Sequence, residues 1–155
     1  MTSQNFNIAA ATPDELGLKL LEEVSNATPN LLNLSSYLAA KASTEQQNAE
    51  GLTPLLVATI ANHTGAAQML IAAGANTRAM DEKGDTPLMH AVHHQNLKVI
   101  RDLRTVGAPH RRMESSMSSE MWDRYMDSLE DKITAAEAQE TTIGVLRPLK
   151  LTTKA

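Results

Sequence analysis

A stretch of this chain matches itself when it is shifted by 33 residues. Gly51-Leu52-Thr53-Pro54-Leu55 falls on Gly84-Asp85-Thr86-Pro87-Leu88, Ala58 on Ala91, Leu70 on Leu103 and Gly74-Ala75 on Gly107-Ala108. Upstream, Leu38-Ala39-Ala40-Lys41-Ala42-Ser43-Thr44 falls on Ile71-Ala72-Ala73-Gly74-Ala75-Asn76-Thr77 at the same offset. A fixed period of this size means that one supersecondary unit is stacked on the next, because a single unit cannot bury its own apolar face.

The elements inside the period follow from local chemistry. Four prolines follow a threonine: Thr12-Pro13, Thr28-Pro29, Thr53-Pro54 and Thr86-Pro87. A threonine hydroxyl accepts from a first-turn N–H that has no helical partner. Proline is favoured just inside the helix, where its missing N–H is no loss. Each pair is therefore a candidate helix start. Thr12-Pro13-Asp14-Glu15 also completes a capping box. Gly51 and Gly84 belong in turns, and Gly74 and Gly107 just past helix ends. Ala58, Ala61 and Ala91 let neighbouring helices approach closely, so few rings are needed. Only 3% of the 155 residues are aromatic, while 42% are hydrophobic.

These residues resemble the ankyrin repeats, whose pattern is a turn ending G-x-T-P-L-H-x-A, two antiparallel helices and then G-A-D/N. The resemblance covers residues 48–80 and 81–113, with a degenerate N-terminal cap over 13–47. In that cap, Leu18, Leu21 and Val24, with Leu31, Leu34 and Leu38, have helical spacing, and the inter-helix turn is about two residues longer than in the repeats. Departures are visible: Leu56 and Met89 replace the consensus His, and Asn62-His63 and Gln95-Asn96 replace the Gly-His between helices. Asp102 stands where the family usually has Leu, and it is expected to be exposed or to be answered by Arg101, Arg104 or a group of the C-terminal helix.

After residue 113 the composition changes. Met117, Met121, Tyr125, Leu129 and Ile133 recur at i, i+4, beside Trp122 and Met126. The spacing predicts an amphipathic helix from about Ser118 to about Glu140 with an acidic outer face. It either covers the open end of the stack, as terminal elements of solenoids do, or docks a partner. Residues 141–155 contain Arg147, Lys150 and Lys154, no acid, and Pro148 within an apolar run. An extended tail is expected, lying along the protein's own surface or, with the C-terminal helix, carrying recognition of another chain while the repeats serve as scaffold.

The expected fold is therefore all-α: a short ankyrin-like solenoid, an added C-terminal helix within 114–140 and a tail. The chain has no cysteine, which excludes disulfides and thiolate chemistry. No catalytic motif or phosphate-cradling glycine loop occurs, so no enzyme and no cofactor are expected. A net charge of −4 without stacking platforms argues against nucleic acid. No run is long enough to span a membrane, and no signal peptide is evident. The default expectation is a cytoplasmic protein, with export by a signal-less route as the alternative.

The resemblance implies a protein partner held on a concave face of turn tips and first helices. Carried over by position, the contacts are Ala49, Glu50, Leu52, Ile60 and Ala61 in one repeat, and Glu82, Lys83, Asp85, His93 and His94 in the next. Trp122, Tyr125 and Met126 are the candidates on the C-terminal helix, where self-association is also an option. An inhibitor, an immunity protein, an adaptor and an effector all fit this description. His90, His93 and His94, at i, i+3, i+4, form a minor alternative as metal ligands.

Overall fold

Three of the four Thr-Pro pairs start helices, and the fourth does not. The computed structural model describes residues 7–109, 120, 124–132, 134–135 and 138–139. Within them lie α1 (Pro13–Ser25), α2 (Leu31–Ala39), α3 (Pro54–Ile60), α4 (Thr64–Ala72), α5 (Pro87–His93) and α6 (Leu97–Thr105). Thr12, Thr53 and Thr86 cap α1, α3 and α5, and Thr12 with Glu15 closes the predicted capping box. Thr28-Pro29 caps nothing. The chain stays extended past Pro29, and Asn30 caps α2 by accepting from the N–H groups of Leu32 and Asn33. Asparagine is as good a cap as threonine, and its position sets the start.

Helix ends obey one rule. Behind α4, the Gly74 N–H donates to Ile71 O and the Ala75 N–H to Leu70 O. This is the Schellman pattern, and it needs a left-handed residue at its centre. Gly74 and Gly107 supply it with φ of 83° and 74°. Lys41, Asn62 and Gln95 supply it with φ of 65°, 58° and 54°, although they carry side chains. Helix α1 is the exception: its C-cap Asn26 is extended. Glu23 then bridges the connection, accepting from the Asn30 N–H at 2.8 Å and from Asn33 Nδ2 at 3.1 Å. The Asn30 bond, aided by Asn33, holds this carboxyl below its ordinary value.

The helices form pairs α1–α2, α3–α4 and α5–α6, with α1, α3 and α5 in one layer and α2, α4 and α6 in the other. Leu16, Leu20, Val24, Leu34, Leu55, Leu56, Leu70, Leu88, Val99, Ile100 and Leu103 fill the core. Close approach occurs at Ala58, Ala66, Ala67 and Ala91. Ala61 does not take part: it is the C-cap of α3 and is exposed. The N-terminal spacing holds for Leu21, Val24 and Leu34, which are buried, whereas Leu18 and Leu31 are exposed. Only one stripe of α1, through Leu16, Leu20 and Val24, faces the stack, and Leu18 lies off it. Leu31 is the first residue of α2, with its side chain beside Gly65.

The chain divides into two compact units, 1–114 and 115–155. In the second, residues 124–132 are helical, with Met126 and Leu129 buried and Asp127, Glu130 and Asp131 exposed. That agrees with an amphipathic helix carrying an acidic face. Trp122 and the tail 141–155 lie outside the described residues. Among the described residues, no helix is long and apolar enough to cross a membrane.

Candidate functional site

Several of the candidate contacts sit on turns that an Asn or an Asp side chain closes. Asn48 Oδ1 accepts from the N–H groups of Glu50 and Leu52, both at 2.9 Å. Asp81 Oδ1 accepts from those of Lys83 and Asp85, again both at 2.9 Å. Such side-chain-to-backbone bonds are what Asn and Asp contribute to turns. Gly51 and Gly84, with φ of 73° and 79°, complete the two loops. Asn7 begins the same turn ahead of α1, accepting from the Ala9 N–H at 3.1 Å. The described stack therefore holds three turn-and-helix-pair units.

Between two successive loops lies an open groove of about 290 Å³, lined by Glu50, Leu52, Ile60, Asp81, Glu82 and Lys83. The floor is aliphatic and the rim is charged. Glu50, Ile60, Glu82 and Lys83 are exposed and Leu52 is half-buried. Five of the six belong to the contacts expected from sequence. Asp81 was missed, although it lies 33 residues after the turn-forming Asn48. Ala49, Ala61, His93 and His94 are exposed but do not line the groove. Asp85 is half-buried inside its own turn. On the C-terminal helix, Tyr125 is half-buried and Met126 is buried where a contact residue would be open.

The three histidines do not converge. His90 Nε2 donates to Asp81 Oδ2 at 3.0 Å. His94 Nε2 donates to the Ile60 carbonyl at 2.9 Å, because it sits at the C-cap, where helical spacing ends. The His93 and His94 rings meet edge to face at 5.5 Å. The metal reading of His90, His93 and His94 is thus corrected by geometry. Among the described residues, Asp81, Asp85 and His90 bring ligand atoms within 4.8 Å, but this group has the ordinary makings of a turn closed by a His–Asp bond. Burial by itself would raise the Asp81 pKa. The N–H groups of Asp85 and Lys83 and the His90 ring outweigh it, so the carboxyl lies below its ordinary value.

Asp102 is half-buried and paired with the expected Arg101, and it gains a partner that the sequence did not suggest. Gln68 Nε2, on α4 of the preceding unit, donates to its Oδ2 at 2.7 Å, with Arg101 Nε at 3.6 Å from Oδ1. This bond belongs to a ladder. Among the described residues, five side-chain hydrogen bonds cross from one unit to the next, and all join residues 31 to 34 apart. Asn96 Nδ2, for example, donates to Asn62 Oδ1 at 2.8 Å and to Thr64 Oγ1 at 2.7 Å. These bonds tie each unit to the next and help fix their register.

A family model described as ankyrin repeats, in 3 copies, matches residues 20–111. No curated protein gives a significant match.

Proposed function

The chain belongs to the ankyrin repeat family, and on that premise we propose that it captures a partner protein through the groove face and acts by steric occlusion, as an inhibitor, an immunity protein or an adaptor. Ankyrin repeats are protein–protein interaction modules. The observation that carries the reading is the clustering of Glu50, Leu52, Ile60, Glu82 and Lys83 around one groove with an aliphatic floor. Apolar floors within polar rims are the usual anatomy of a recognition patch. The hydrogen-bonded turns and the inter-unit ladder make this surface preformed, so little ordering entropy is lost on binding.

Ile60→Arg combined with Glu82→Lys tests the reading. Both side chains are exposed, so the circular dichroism and the melting curve should be unchanged. Capture of the native partner from the host, read by affinity purification, should be lost. Unchanged capture rejects the groove as the binding surface. The finer roles separate afterwards. An inhibitor or immunity protein silences its partner's activity on stoichiometric binding, whereas an adaptor holds two proteins at once.

A further inference from the structure

We propose that the groove is built for one chemical class of partner: a protein segment presenting a cationic side chain, Arg or Lys, flanked by aliphatic residues. This rests on the groove-face reading above and adds the chemistry to it. The six lining residues carry three carboxylates, Glu50, Asp81 and Glu82, against one ammonium, Lys83. Asp81 is already engaged by His90 and by two backbone N–H groups. Glu50 and Glu82 are exposed on the rim, one from each of two successive turns. A cation entering between them is attracted from both sides.

The floor suits the rest of such a side chain. Leu52 is half-buried and Ile60 is 37% exposed, so both offer apolar surface without being open patches of their own. Arg and Lys lay their methylene stems along surfaces of this kind while keeping the charged head at a polar rim. Ile60 is also the last residue of α3. Its carbonyl is already taken by His94, so the attraction rests on the carboxylates of the rim. An anionic segment would meet both glutamates and gain only Lys83. Nucleic acid is disfavoured for the same reason.

The test uses the full chain, labelled with nitrogen-15, and two short synthetic peptides. They are identical except for a central Leu-Arg-Leu in one and Leu-Glu-Leu in the other. The Arg peptide should shift the amide signals of Leu52, Ile60, Glu82 and Lys83 saturably and bind more tightly than the Glu peptide. Glu50→Gln with Glu82→Gln should weaken it by roughly three- to tenfold, the scale of two exposed ion pairs. Lys83→Gln should strengthen it, and raised salt should weaken it. A Glu peptide that seats equally well in the same groove overturns the cationic assignment and leaves the groove-face reading standing. Shifts confined to other surfaces, or no shifts at millimolar peptide, also overturn the assignment. The groove-face reading is then decided separately, by the Ile60→Arg and Glu82→Lys capture experiment.

Discussion

The repeats at 48–80 and 81–113 share a backbone but differ in what their turns carry. Asn48, Leu52 and Val57 in one stand where Asp81, Asp85 and His90 stand in the other. Both turns close in the same way, through a side-chain Oδ1 that accepts two N–H bonds at 2.9 Å. The turn therefore requires an acceptor oxygen and not a charge. The charge is an addition to the second repeat, tied to His90 through the other oxygen. Shape and titration are separable in this fold, and the two repeats show them separated.

The largest test attacks the shared part. Leu55→Ala and Leu88→Ala each empty a fully buried position at equivalent places. Each should cost about 2–5 kcal/mol, read by chemical denaturation. A cost confined to one of them would break the equivalence of the two repeats. Next come the caps. Thr53→Val and Thr86→Val both lose an N-cap oxygen. The Thr86 hydroxyl also donates to the Pro109 carbonyl at 3.2 Å. Thr86→Val should therefore cost about 2 kcal/mol and Thr53→Val about 1.

The third test isolates the charge. The Asp81 pKa in the folded chain lies below its ordinary 3.8. Its ionised form thus stabilises the fold at pH above that ordinary value, and the contribution is lost as pH falls through the lowered pKa. Asp81→Asn keeps the turn oxygen and removes the titration. It should cost about 1 kcal/mol at neutral pH and should flatten the acid limb of a stability–pH curve. Glu23, shifted in the same direction, keeps part of that limb. Asn48→Asp, which has no facing histidine, should not steepen the limb to the same degree.

The smallest test compares the two inter-helix turns. Gln95 and Asn62 both hold positive φ. Gln95→Gly should gain about 0.5–1 kcal/mol, whereas Asn62→Gly should lose roughly a few tenths, since asparagine tolerates that region better and its side chain accepts from Asn96. Thermal melts would rank them, and the reverse order would contradict the backbone account.

Much of this fold was readable before the structure, for reasons that are local. Thr-Pro caps, turn glycines and helix-end glycines are short-range signals, and the 33-residue offset multiplies each of them. What stayed hidden depends on geometry between units or on the absence of a stop signal. Nothing in Leu20 to Ser25 marks how far α1 runs, so its 13 residues could not be read off. Gln68 gives no local hint that it will meet Asp102. The histidine cluster misled because i, i+3, i+4 spacing has meaning only inside a helix, and His94 sits at its end. Asp81 was available through its equivalence to Asn48, a signal that composition and family contacts pass over.

The ladder of bonds between units, each spanning 31 to 34 residues, has a kinetic meaning. None of those partners waits for a distant part of the chain to arrive, so loop closure during folding is short everywhere in the stack. Any neighbouring pair of units can serve as the seed, and order then spreads outward in either direction by repeating the same step. A lesion in one unit should accordingly be felt by its neighbours and fade beyond them.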